Sequence, residues 1–581
     1  MVVLSRDRAD IAVDLLPDGR LSLSVPYDLY IKSLIKAIDG RRWHPEQKIW
    51  SIPRNGFRNL RELAARANVG IAPTEKVRHA FALGVKFKDE LAAAKTDETP
   101  FDLSTKTTPF PFQYSGIRFA TEALHDFKGA LIADDMGLGK TFMALAVVAT
   151  HERLRDVLVL CPSTLKYVWA AEIEKHFPDL TYTVIEGNAE ARRDQWDEDT
   201  ILKIANYELL VPSHGRKCLG GSEQKREKGG RCDCGSLAKD ILMRMTTWDL
   251  VISDEVTFLK NYQTLRSRTA KKLRTKYRLA LSGIPLENRL EELHSVMDWV
   301  IPGLLGPGWL FVQEYCVRNI YGKTVAYRNV EKVRERISPY MIRRRKEDVL
   351  TDLPEKVYSD LWLEMTDDEW KLYDTVRAQI REEIKENPKL NASNILVMML
   401  RLKQATGDAR LLEAKGIPSS KMMALDDLLN SSGDHRVVAF TQFAGLARLV
   451  AEEFDAPLIE GAVSNVKRQK IFDSFQRGEH KMLVSTDAGA YGVTLTAADV
   501  IVHLDQPWTP ARMRQREDRL HRIGQKSTVQ VVNFLCRRTV DEKVRAILHR
   551  KSELIKIVLD EETPDADAVQ ITMDDVMGML E

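Results

Sequence analysis

The chain has 581 residues, 44 % of them apolar and 29 % charged, and its 86 basic and 84 acidic side chains leave a net charge of +2. That length suggests about three to five domains, and the composition excludes disorder as the main state. No apolar run approaches the roughly 18 residues of a membrane span, the start lacks the apolar core of a signal peptide, and six cysteines are too few for a disulfide scaffold, so a cytoplasmic protein with reduced thiols is expected, nuclear if the host has a nucleus.

Residues 1–95 carry 17 Lys/Arg against 11 Asp/Glu. Two apolar runs, 11–16 and 21–25, flank Asp18-Gly19, a hairpin signal. A helix is predicted over 30–38, a second hairpin over 41–53 and another helix over 56–67, which together make a small α+β module. Arg41, Arg42 and Trp43 lie in that second hairpin with Trp50. Rings beside bases suit stacking on unpaired nucleotides; core packing is the alternative for either tryptophan.

From about residue 131, short apolar strands alternate with amphipathic helices, the pattern of a parallel sheet with crossovers. Strands are predicted at 131–133, 157–161, 250–253 and 279–282, and again at 436–440, 482–485, 500–504 and 529–535. Between these halves, 287–415 reads as helical and strongly charged. The predicted parts are 1–95, a first lobe 96–300 with a loop insertion 211–247, a helical linker 301–415, a second lobe 416–550 and an acidic tail 551–581. Seven bases and no acid lie between Asn261 and Leu286. Such clustering is the footprint of a nucleic-acid binder, with a solvated helix face as the alternative.

The chemistry concentrates in three places. Asp134-Asp135-Met136-Gly137-Leu138-Gly139-Lys140-Thr141 follows a strand and opens a helix. Its glycines let backbone N–H groups wrap a phosphate chain. Lys140 would reach the terminal phosphates and Thr141 would ligate Mg²⁺. Asp134 stands where the strict phosphate-loop pattern has glycine. Asp254-Glu255 ends an apolar strand at the ligand edge of an α/β sheet; Asp254 would hold Mg²⁺ and Glu255 would activate water. Arg519 and Arg522, three apart in Gln515-Arg516-Glu517-Asp518-Arg519-Leu520-His521-Arg522, are expected on one helix face as charge-stabilising arginines.

Set in order, these residues resemble the SWI/SNF-type ATPases of helicase superfamily two over about 108–550. Phe112-Gln113 is similar to the adenine-reading motif, and Asp134–Thr141 to the family's phosphate loop. Cys161-Pro162-Ser163-Thr164 with Trp169 resembles motif Ia, and Ala205-Asn206-Tyr207 motif Ib. Leu281-Ser282-Gly283-Ile284 resembles motif III, with Ile284 in place of threonine. Arg343-Arg344-Arg345-Lys346 resembles the basic segment that enters the second lobe. Ser485-Thr486 through Thr494, and Asp505-Gln506-Pro507-Trp508, resemble motif V and its sequel.

The resemblance implies two RecA-like parallel-sheet lobes joined by a helical module, with the small N-terminal α+β domain ahead of them. It implies ATP bound by Gln113, Met136, Gly137, Leu138, Gly139, Lys140 and Thr141, and Mg²⁺ on Thr141 and Asp254. Lys140, Asp254, Glu255, Arg519 and Arg522 would be catalytic. DNA, duplex or junction, would lie along Thr164, Asn206, Ser485, Thr486, Thr494 and Trp508, with Arg41, Arg42 and Trp43 as further contacts.

The N-terminal module is similar to the HARP domain of annealing helicases, which implies reannealing or fork remodelling. A strand-separating helicase, an ATP-gated remodeller that does not travel, and a plain binding module are the alternatives. In the 211–247 insertion, His214, Cys218, Cys232 and Cys234 offer the four ligands of a tetrahedral zinc site; a basic loop with free thiols is the alternative.

Overall fold

A computed structural model describes residues 11–559 except 18–19, 26–27, 37, 39, 54–55, 67–68, 152, 212–246, 320–321, 323, 351, 388–391 and 488–493. The Asp18-Gly19 turn, the zinc candidates His214, Cys218, Cys232 and Cys234, and the acidic tail therefore lie outside the described residues. The chain divides into two compact units. One comprises Met1–Asp135, Gly139–Val317 and Tyr327–Arg344; the other comprises Met136–Leu138, Arg318–Ala326 and Arg345–Glu581.

The large sheet of the first unit has seven strands, in the order Met341–Ile342, Gly129–Ile132, Thr275–Leu281, Trp248–Asp254, Val157–Cys161, Leu202–Asn206 and Tyr182–Val184. All its pairings are parallel. A parallel sheet is covered on both faces, so its strands read as continuous apolar runs. Trp248–Asp254 is buried at every position, Asp249 and Asp254 included. Helix Lys140–Thr150 is apolar nearly all round because it lies inside that core.

The N-terminal module is a mixed five-stranded sheet, ordered Arg42–His44, Ile49–Ile52, Leu21–Ser24, Ile11–Leu15 and Ile71–Pro73. Both expected hairpins form, and Ile71–Pro73 adds a parallel edge strand that the sequence pattern missed. Helix Glu75–Ala94, capped by Thr74, carries Leu91 and Ala94 into the core of the large sheet. In return Leu310 enters the core of the module, and the Asn59 amide donates to the Gly303 carbonyl at 3.1 Å. The break expected at residue 95 thus falls where the two cores are already joined.

The second unit has six parallel strands, ordered Lys356–Leu363, Val529–Cys536, Val500–His503, Val437–Thr441, Met482–Thr486 and Leu458–Ile459. The stretch expected as one helical linker, 301–415, is shared out. Met341–Ile342 completes the first sheet and Lys356–Leu363 edges the second. Helices Asp367–Glu386 and Ala392–Gly407 pack with helix Val540–Leu559 through Tyr373, Val376, Leu402 and Val544.

Four of the seven bases between Asn261 and Leu286 have partners within their own unit, while Arg268, Lys272 and Arg274 are exposed. Arg266 pairs with Glu208, Lys271 with Asp298 at 2.6 Å and Lys276 with Asp249 at 2.6 Å, while Arg278 is half-buried over Trp299 and donates to its carbonyl at 2.8 Å. Among the described residues no helix is long and apolar enough to cross a membrane.

Candidate functional site

The ligand edge of the first sheet gathers the nucleotide candidates. Strand Gly129–Ile132 leads into the phosphate loop, and helix Lys140–Thr150 starts at Lys140. Lys140 Nζ donates to the main-chain oxygens of Asp134, at 2.7 Å, and Asp135, at 3.0 Å. The ammonium is thereby held within its own loop. Gly139 has φ +80°, the left-handed conformation that glycine adopts without strain. A Cβ there would run into the Gln113 amide. Gln113 itself is buried, and its Oε1 accepts from the Phe110 N–H at 3.0 Å, closing the start of helix Pro111–Phe127. Gln113 and the loop are therefore neighbours, as expected.

Asp254 ends the central strand and is buried. Trp169 Nε1 donates to its Oδ2 at 2.8 Å, the Glu255 N–H donates to its Oδ1 at 2.9 Å, and the Tyr207 hydroxyl donates to its carbonyl at 2.6 Å. Burial pushes the Asp254 carboxyl above the ordinary carboxylate range, against Trp169 and Lys140, which pull it down. The roles of Trp169 and Tyr207 were not legible from spacing, because they reach Asp254 from other strands' connections. Glu255 follows with φ +50°, an unfavourable conformation for a residue with a Cβ, worth about 1–2 kcal/mol. It ends the strand and opens the turn Val256–Leu259.

A hydroxyl, a carboxylate and a lysine at one sheet edge are hard oxygen donors and a cation, the chemistry that a magnesium-bound nucleotide requires. The donor set therefore fits ATP with Mg²⁺. Among the described residues no cluster of three or more His, Cys, Asp or Glu forms a metal cage.

In the second unit the arginines sit differently from expectation. Helix Pro510–Glu517 ends before them, so Arg519 and Arg522 do not share a helix face. They stand in successive tight turns, in which the Arg519 N–H bonds to the Arg516 carbonyl and the Gln525 N–H to the Arg522 carbonyl. The helix gives way where Glu517 and Asp518 are tied down by Lys356, at 2.8 Å, and Lys346, at 2.6 Å. Burial alone would raise the Asp518 carboxyl, but Lys346 and Lys356 hold it below the usual range. Behind the turns Arg516 is buried between Asp487, at 2.5 Å, and Asp505, at 3.5 Å.

The expected DNA contacts divide by exposure. Trp43 is 47 % exposed, opposite Trp50 and 5.1 Å from it, whereas Trp50 packs on the module's core. Core packing is thus right for Trp50 but not for Trp43. Arg42 is exposed, and Arg41 Nη1 bonds to the Ile38 carbonyl at 3.1 Å. Thr164 is half-buried in the turn after Val157–Cys161, and the Asn206 amide donates to Glu208 at 2.7 Å.

Ser485 and Thr486 are buried, with Ser485 Oγ donating to the Thr486 carbonyl at 3.1 Å. Thr494 Oγ1 accepts from Arg522 Nη1 at 2.9 Å, so it serves the arginine turn. Trp508 packs within the helical core beside Lys403, whose ammonium lies 5.1 Å from its ring.

Residues 112–411 match the SNF2-related domain family and residues 420–524 the helicase conserved C-terminal domain. The chain belongs to the SNF2-related family, the SWI/SNF-type ATPases of helicase superfamily two. It is 29 % identical over 469 residues to an uncharacterized ATP-dependent helicase of Mycoplasma genitalium, covering 78 % of this chain and 42 % of the relative. It is 27 % identical over 494 residues to a putative ATP-dependent helicase/translocase of Bacillus subtilis, covering 81 % of this chain and 51 % of the relative.

The SWI2/SNF2 ATPase core of Sulfolobus solfataricus, solved in complex with dsDNA, is 27 % identical with a TM-score of 0.38, covering 79 % of this chain and 96 % of that one. The chain spans about half the length, or less, of the curated relatives it matches.

Proposed function

We propose that the chain hydrolyses ATP and spends the cycle moving along duplex DNA, with the N-terminal module directing it to junctions where strands are reannealed or forks remodelled. The observation that carries the reading is the meeting of Lys140 and Asp254 at one buried sheet edge, each fixed by groups of its own unit. Lys140 draws the terminal phosphates to the loop, and Gln113 reads the adenine. Thr141 and Asp254 would hold Mg²⁺, which when bound would supply charge neutralisation for the phosphates. Glu255 orients the attacking water and takes its proton. Arg519 and Arg522 stabilise charge on the transferring phosphoryl group, a contribution of about 10³–10⁵ in rate for such arginines. The likeness to the Bacillus subtilis helicase/translocase supports movement on nucleic acid. The exposed Trp43 beside Arg42 supports a junction with unpaired bases.

The test is steady-state ATP hydrolysis at fixed salt on linear duplex, single-stranded DNA, forked DNA and RNA. Strongest stimulation by forked DNA, lost in Lys140→Ala and Glu255→Gln, is the expected result. Stimulation by single strands or RNA alone would instead assign a strand-separating helicase. Full stimulated hydrolysis in either variant overturns the site.

A further inference from the structure

Residues 343–346 are bonded on one side to Asp134 and Asp135 in the first unit and on the other to the turns after Glu517 in the second. Arg344 binds the Asp134 carboxylate through Nε, at 3.1 Å, and through Nη2. Its Nη1 donates to the Phe112 carbonyl and to Ser115 Oγ, the latter at 3.1 Å. Asp134 is completely buried. The Arg344 carbonyl accepts the Asp135 N–H at 3.0 Å, and Arg343 Nη1 donates to the Ala133 and Gly283 carbonyls, both at 3.2 Å. A Cβ on Gly116 would lie 2.6 Å from Arg344 Nη2, so the helix bearing Gln113 is shaped around this guanidinium. Asp134, where a strict phosphate loop has glycine, thus has a use: it is the buried counter-charge that ties the loop to Arg344.

Two residues on, Lys346 is buried in the second unit. It donates to Asp518 at 2.6 Å and to the His521 carbonyl. His521 Nε2 lies 2.7 Å from the Pro354 carbonyl, and Lys356 holds Glu517. The turns carrying Arg519 and Arg522 are therefore fastened to the chain just after residue 344. Only Arg345 separates the two anchors, so their Cα atoms cannot be more than about 7 Å apart.

We propose that 344–346 is the joint that couples the phosphate loop to the arginine turns. Arg344 and Lys346 are its positioning residues, one setting each loop. The proposal rests on the nucleotide-site reading above. A carboxylate buried like Asp134 needs its partner, because removing one member of such a pair strands the other. Arginine is required because a lysine's point charge cannot serve Asp134, Phe112 and Ser115 together. Each loop is thus positioned within its own unit from the same short stretch of chain, and positioning of this kind is what phosphoryl transfer depends on.

The experiment measures ADP affinity with Mg²⁺ and ATP turnover with duplex DNA, on the full chain. Arg344→Gln is expected to weaken ADP at least tenfold, with Asp134→Asn added to it recovering most of the loss. Lys346→Gln, and separately a two-glycine insertion after Arg345, are expected to keep ADP affinity within threefold while turnover falls at least tenfold. A merely structural role would lower thermal stability without this split. If Arg344→Gln does not fold, Arg344→Lys and Gly116→Ala carry the same arm with a smaller loss of at least threefold. Unchanged ADP affinity in the folded Arg344 and Gly116 variants, or unmodified turnover in the insertion variant, overturns the joint. Failure of the unmodified chain to bind ADP overturns the nucleotide site itself, and the joint with it.

Discussion

Trp169 shows how much of a site can hang on a residue that touches no reacting atom. Its indole N–H is the side-chain donor to Asp254 Oδ2. Partners of this kind typically change metal affinity or activity by about 10–100-fold when removed. Trp169→Phe is therefore expected to depress ATP hydrolysis by that order, and a Mg²⁺ titration should show the loss shrinking at high metal. Lys403 gives a second test at the same scale. Burial, aided by Arg516 and Lys421 and opposed by Asp505 and Asp541, pulls its amine down to about 8.

Below pH 8 the amine is charged in both the folded and the unfolded chain, and the fold carries the strain. Between pH 8 and about 10.5 the unfolded chain holds more protons, so stability rises with pH, by at most about 3 kcal/mol. Denaturant unfolding across that range should show the rise in the natural chain and a flat profile in Lys403→Met. Lys140, Asp254 and Glu255 were legible because strand and loop chemistry mark them. Trp169, Tyr207 and Arg344 were not, because what they do depends on which distant residue the fold puts beside them.

Elements were read best where period and flanking turns agreed. The buried strands Val157–Cys161, Trp248–Asp254 and Val437–Thr441 announce themselves as apolar runs. Strands too short or too polar to stand out were missed. Met341–Ile342 has two residues, and Lys356–Leu363 is a largely exposed edge strand that interleaves Lys356, Ser359 and Asp360 with its apolar residues. Arg519 and Arg522 were placed on a helix by their spacing, and ion pairs from outside the segment decided otherwise. Helix Glu75–Ala94 belongs to two cores at once. Deleting residues 1–95 should therefore lower the melting temperature of the remaining chain by more than deleting 1–74, which leaves Leu91 and Ala94 in place. Circular-dichroism melts of the two truncations decide this.

For the whole molecule, the division at Arg344 and Arg345 matters more than the length of the helical stretch around it. A fragment ending at residue 344 contains every strand of the seven-stranded sheet and the Arg344–Asp134 pair. A fragment ending at 300 lacks strand Met341–Ile342 and that pair. Calorimetry should find a cooperative transition in the longer fragment and a broad or absent one in the shorter.

The edge strand Met341–Ile342 also bears on how the protein is made. It pairs with Leu131 and Ile132 but is translated about sixty residues after the strand that precedes it into the same sheet, Thr275–Leu281. At about 5–20 residues per second, the nascent chain waits several seconds with Gly129–Ile132 uncovered along one side. An open apolar edge of that kind is a template for mispairing, so the yield of correctly folded chain should depend on how fast the ribosome crosses residues 282–342.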